Sequence, residues 1–130
     1  MSFELDACKY APNEWRRIQI QDACFRITSG GTPSRKQPEY YQCGSIHWVK
    51  TKELEDGFIV STEEMITNQA VANSSAKLLP AGTILLAMYG ATVGMLGILS
   101  KDMACNQACC ALIPKTGYDR DFLYYQLLAL

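Results

Sequence analysis

The chain has 130 residues, with 12 Lys and Arg against 13 Asp and Glu and a formal net charge of −1. That length holds one domain with one substantial core and leaves no room for a second. With 48% hydrophobic and 19% charged residues the chain is not a disordered one, and its balanced charge excludes a globally basic nucleic-acid binder while leaving a locally basic face open.

From Trp15 to Ile20, Ile18 and Ile20 alternate with polar neighbours, which predicts a half-buried strand with Trp15 in the core. Asp22-Ala23-Cys24 makes one turn, and residues 25–28 alternate again as a strand. Ser29-Gly30-Gly31-Thr32-Pro33-Ser34 then interrupts the pattern; paired glycines and a proline predict an exposed loop that continues to Tyr41. Residues 46–50 read as a buried strand with Trp48 in the core, and Asp56-Gly57 as a turn before a strand at 58–60. Ser61 or Thr62 is expected to open a short helix, because Ser61-x-x-Glu64 fits a capping box. Pro80-Ala81-Gly82 leads into a strong strand at 83–88, a turn at 89–92 and a further strand at 93–99. The run 108–113 is another strand, closed by Pro114. Asp119 caps a last helix over 120–130, in which Phe122, Leu123, Leu127, Leu128 and Leu130 form a broad apolar face. No stop signal follows, so the helix reads as cut short and the chain as part of a longer protein. Six to eight strands with two or three short helices predict an α+β fold built on a twisted mixed sheet or partial barrel.

The longest apolar runs, 84–88 and 108–113, fall far short of the ~20 residues of a membrane span. Acids stand in Met1-Ser2-Phe3-Glu4-Leu5-Asp6 where a secretory leader is basic, so the expected location is cytoplasmic. There the six cysteines, Cys8, Cys24, Cys43, Cys105, Cys109 and Cys110, are expected as thiols, the last three as small hydrophobes in buried strand. The sequence holds no phosphate-loop or dinucleotide fingerprint, no H-E-x-x-H, no acid-x-Lys and no Asn-Pro-Pro or Asp-Pro-Pro. His47, the one histidine, stands four residues after Cys43, but a zinc site needs two further ligands and no second pair stands out. A nucleophilic pair of His47 with Cys105, Cys109 or Cys110 is disfavoured, since apolar surroundings raise a thiol pKa.

Positive evidence lies in local charge. Arg26, Arg35, Lys36, Lys50 and Lys52 fall between positions 26 and 52 with Glu39 as the one acid, a net +4 on a chain of −1. Thr32, Ser34, Gln37, Tyr40, Tyr41 and Thr51 alternate with them. Lys and Arg hold phosphates, and Arg and Gln read guanine and adenine edges with paired bonds. A solvated loop whose charges serve only solubility has the same composition.

Gly30-Gly31-Thr32-Pro33-Ser34-Arg35, Tyr40-Tyr41 and Ile46-His47-Trp48-Val49-Lys50-Thr51 resemble the target recognition domain of type I restriction-modification specificity subunits. In the same order follow the blocks 73–83, 87–94 and Asn106-Gln107-Ala108-Cys109-Cys110-Ala111, so the resemblance covers Trp15 to about Pro114. It departs at His47, where such domains often have Pro, and at Cys43, where Gly is usual. The resemblance implies a non-catalytic domain, residues 1–118, reading one half of a bipartite double-stranded DNA site, with 119–130 the start of a truncated spacer helix. It implies methyltransferase partners that use S-adenosylmethionine and flip an adenine, and a restriction subunit that uses ATP and Mg. The domain itself is expected to hold no cofactor or metal.

The expected contacts, in falling order from the loop outward, are Thr32, Ser34, Arg35, Lys36, Lys50, Thr51 and Lys52, carried on a cationic, glycine-hinged finger. Tyr89 and Thr92 come second, the plainer reading of Tyr89 being a packed aromatic with its hydroxyl satisfied. Asn106 and Gln107 fit strand-end bonds to backbone. The alternative functions are a protein-docking module or orphan half-subunit without DNA reading, its apolar last helix the working surface, and a small thiol enzyme.

Overall fold

The computed structural model describes residues 18–130. Trp15, Cys8 and the start of the expected 15–20 strand lie outside the described residues. Eight strands follow among them: Cys24–Ser29 (β1), Ile46–Val49 (β2), Phe58–Ile59 (β3), Glu64–Ile66 (β4), Ile84–Ala87 (β5), Leu96–Leu99 (β6), Ala104–Cys105 (β7) and Cys109–Pro114 (β8). Three helices accompany them, Ile20–Ala23 (α1), Asn68–Ala72 (α2) and Arg120–Leu128 (α3), with single 3-10 turns at Pro38–Tyr40 and Thr51–Glu53.

The fold is α+β, as expected, and its strands divide between two mixed sheets. The larger is ordered β1-β8-β5-β6-β3 and the smaller β4-β2-β7. In the larger, β1, β8, β5 and β6 pair antiparallel and β3 joins β6 in parallel. In the smaller, β2 pairs antiparallel with β4 and parallel with β7.

The alternation of side chains along a strand explains the layering. On β5, Leu85 and Ala87 enter a core that also holds Val49, Met103 and Cys105, so this core joins the two sheets. Ile84 and Leu86 enter a second core on the opposite face, closed by Tyr124 and Leu127 of α3. On β8, Cys109 and Ala111 point one way and Cys110 and Leu112 the other. Strands covered on both faces need apolar residues at every position, which is why 84–88 and 108–113 are continuous hydrophobic runs. A third core lies on the outer face of the small sheet: Ile46, Trp48, Ile66, Ala104 and Ala70 of α2, with Tyr40 and Tyr41 at its margin.

Two local expectations fail. Ile20 opens a helical turn rather than ending a strand, and the Gln19 amide donates to Asp22 Oδ2 at 3.3 Å in the manner of a cap. Residues 61–65 form no helix. Glu64–Ile66 is strand β4, paired Ile46–Ile66 and Trp48–Glu64 with β2. The Thr62 hydroxyl donates to the Glu64 carbonyl at 2.6 Å, and the Glu64 carboxylate is taken by Arg35 and Lys50. Tertiary partners thus take the Glu64 half of the apparent capping box, and Thr62 bonds locally within the strand entry. The helix begins after Thr67, whose hydroxyl accepts from the Ala70 amide at 3.1 Å.

Candidate nucleic-acid interface

The glycine pair of the 29–36 segment is a packing device, not a hinge. Gly30 and Gly31 are buried. A Cβ on Gly30 would lie 1.9 Å from the Cys105 carbonyl oxygen, and one on Gly31 2.0 Å from Ser75 Oγ. Only a residue without a side chain admits these approaches. Both backbone groups of Gly31 have partners: its amide donates to the Cys105 carbonyl at 3.0 Å, and Trp48 Nε1 donates to its carbonyl at 3.1 Å. Lys77 Nζ donates to the Ser29 carbonyl at 2.9 Å, and the Tyr41 hydroxyl donates to the Pro33 carbonyl. The expected exposed finger is therefore corrected. Its backbone at Gly30, Gly31 and Pro33 is embedded, and only the side chains of Thr32, Ser34, Arg35 and Lys36 face solvent.

The net +4 of residues 26–52 does not survive folding as a free cationic surface. Strand β4 brings Glu63 and Glu64 across it. Arg35 meets Glu64 through two guanidinium nitrogens, at 2.8 and 3.3 Å. Lys50 Nζ lies 3.2 Å from Glu64 and 3.8 Å from Glu63, and Lys52 Nζ 2.9 Å from Glu63. The Arg35 guanidinium stacks 4.2 Å from the Tyr41 ring centre and 5.3 Å from that of Trp48. The bond from Arg35 holds the Glu64 carboxyl below the usual carboxylate range, and Lys52 does the same for Glu63. Lys36 makes no ion pair among the described residues.

The remaining expected contacts are placed as follows. Thr32 Oγ1 donates to Gln107 Oε1 at 2.5 Å, and Ser34 Oγ accepts from the Lys36 amide at 3.3 Å. Thr92 Oγ1 donates to the Thr51 carbonyl at 3.1 Å, tying the β5–β6 turn to the 3-10 turn that carries Lys52. Tyr89 is 55% exposed in that turn, so it is not a packed aromatic. The structure thus gathers Arg35, Lys50 and Lys52 around two glutamates and seats Thr51 with Thr92, while Thr32 turns to Gln107. Asn106 makes the expected backbone bond, accepting from the Ala108 amide at 3.2 Å. The partners missed from sequence are Glu63, Glu64 and Gln107; the two acids carried no signal there beyond a helix cap.

Among the described residues no group of three or more His, Cys, Asp and Glu is placed to hold a metal ion. His47 Nδ1 accepts from the Thr62 amide at 3.2 Å, and burial lowers its pKa. A bond with Cys105 and burial together raise the Cys109 pKa, and burial raises that of Cys110, which disfavours a thiolate nucleophile. No helix among the described residues is long and apolar enough to cross a membrane.

Comparison with known proteins gives a consistent result. The family model of the type I restriction modification DNA specificity domain matches residues 12–130. The chain is 36% identical over 117 residues to the type I restriction enzyme MjaIX specificity subunit of Methanocaldococcus jannaschii, covering 88% of the chain and 26% of that protein. It is 30% identical over 101 residues to the EcoR124I/EcoR124II specificity subunit of Escherichia coli, covering 75% of the chain and 25% of that protein. It therefore spans about a quarter of the length of the curated relatives it matches. The crystal structure of the HsdS subunit from Thermoanaerobacter tengcongensis matches 92% of the chain and 29% of its own length, with a TM-score of 0.69 at 17% identity.

Proposed function

The chain belongs to the type I restriction modification DNA specificity domain family, and from that membership we propose that it reads one half of a bipartite double-stranded DNA site. The family match across residues 12–130 carries this reading. The chain acts as a non-catalytic, cytoplasmic specificity component. Residues 1–118 form the recognition domain and 119–130 begin a spacer helix. Methyltransferase subunits dock beside it, bind S-adenosylmethionine and modify an adenine taken out of the base stack. A restriction subunit that uses ATP and Mg completes the assembly.

In physical terms, Lys36 reaches a phosphate and supplies part of the salt-sensitive affinity, while Thr32 and Ser34 present short donors and acceptors beside it and Arg35 a guanidinium donor. Lys50, Thr51, Lys52, Tyr89 and Thr92 border this surface. An electrophoretic shift on random duplex DNA at low salt tests the reading. The chain retards the duplex, and Lys36→Ala weakens binding and reduces the salt slope by about 1. No retardation at any concentration of the folded chain overturns it. A second reading, a docking module that does not read DNA, is favoured by the apolar side chains of Phe25, Ile27 and Leu128, 77%, 44% and 44% exposed on β1 and α3. It predicts that absence of a shift.

A further inference from the structure

We propose that the solvent face of α2, formed by Asn68, Gln69 and Ala72, together with Asn73 at its C-cap, enters the major groove and reads A·T base pairs. This rests on the DNA-reading function proposed above and names the element that supplies its base preference.

Asn68, Gln69 and Asn73 are exposed, and none of the three side-chain amides has a hydrogen-bond partner among the described residues. The basic side chains first expected to contact DNA are, by contrast, mostly engaged: Arg35, Lys50 and Lys52 all hold glutamates. A side chain must give up an existing partner to read a base, and these amides have none to give up.

Geometry and charge favour the same face. Ala70 is fully buried against the small sheet, in contact with the Trp48 cluster, so the opposite side of the helix turns outward. At about 100° per residue, Asn68, Ala72 and Gln69 spread over about 100° of that side, and Asn73 follows at the helix end. The face carries no charge and no bulky group, and residues 65–101 contain no Asp or Glu. An α-helix, about 10–12 Å across with its side chains, fits a major groove about 12 Å wide, and the five residues of α2 run about 7.5 Å along it. Asn and Gln pair bidentately with adenine N6 and N7, and an alanine methyl meets the thymine methyl.

The helix is also fixed to the segment that carries Lys36. The Thr67 amide donates to the Tyr40 carbonyl at 3.0 Å, Ser75 packs against Gly31, and Lys77 Nζ bonds the Ser29 carbonyl. Phosphate grip and base reading thus sit on one rigid body, which sets their register on the duplex.

The test is a random-site selection on duplex DNA with four chains: wild type, Gln69→Ala with Asn73→Ala, the triple variant that adds Asn68→Ala, and Lys36→Ala. Alanine favours helix, so the variants are expected to fold, and circular dichroism checks this. The triple variant is expected to lose base preference at one or more A·T positions and to bind the wild-type site about tenfold more weakly. Its salt slope stays that of wild type. Lys36→Ala keeps the selected motif while binding less tightly. A triple variant that selects the wild-type motif unchanged overturns the α2 assignment and leaves DNA reading standing. Wild type that enriches no sequence and retards no duplex overturns the DNA reading itself.

Discussion

Cys43 shows how one backbone angle gives meaning to an unusual residue. Its φ is +56°, in the left-handed region where a Cβ is penalised by roughly 1–2 kcal/mol. The resemblance to specificity subunits leads to an expectation of glycine at this point, and the positive angle is a conformation that glycine adopts at no steric cost. Asp56 has a similar φ of +63°, but its carboxylate accepts from the Leu96 amide at 3.0 Å, a compensation Cys43 lacks. Glycine loses more backbone entropy on folding, which offsets about half of the gain. Cys43→Gly is therefore expected to stabilise the domain by about 0.5–1 kcal/mol, read as a higher urea midpoint at unchanged slope. A lower midpoint would show that the angle is not strained. Gly30 and Gly31 make the opposite case. Their importance was visible as a motif, but the reason was not: the loop signal that two glycines give is the same whether they hinge or are clamped between Cys105 and Ser75.

At the scale of elements, strands covered on both faces were readable because every position had to be apolar. Strand β4 was not. Its residues are polar enough for a helix start, and only pairing with β2 decides the matter. Helix α3 was expected with an apolar face, and the structure shows which part of that face is used. Tyr124 and Leu127 are buried in the second core, and the Tyr124 hydroxyl accepts from the Gly57 amide at 2.6 Å, while Phe122 and Leu128 stay largely exposed. Leu127→Ala should cost about 2–4 kcal/mol in chemical denaturation. Leu128→Ala should cost well under 1 kcal/mol, as expected of a largely exposed position. Equal losses would mean that α3 does not dock through this face.

Across the whole molecule, charges distant in sequence cancel in space. Glu63 and Glu64 sit in a network with Arg35, Lys50 and Lys52 and are held below their ordinary value of 4.5. A carboxyl with a lowered folded-state pKa stabilises the fold above its unfolded value, and that contribution is lost as pH falls through the folded one. Stability is therefore expected to drop below pH 4.5, and Glu64→Gln should show a shallower acid limb with lower stability at neutral pH. Parallel pH profiles for the two proteins would show that the network contributes nothing. Much of this site was hidden for the same reason. A count along residues 26–52 sees five basic groups and one acid, but Glu63 and Glu64, at the start of β4, return two acids to the same place.

The sequence by itself determined the α+β class, most of the strands, the helix after Asp119 and the family pattern, because these depend on local periodicity, turn chemistry and short motifs. Tertiary structure alone decided which cations remain free, that the glycine segment is clamped, and that the uncharged amides of α2 stand open to solvent. Those outcomes depend on which distant side chains arrive at the same point in space, and no local pattern encodes that.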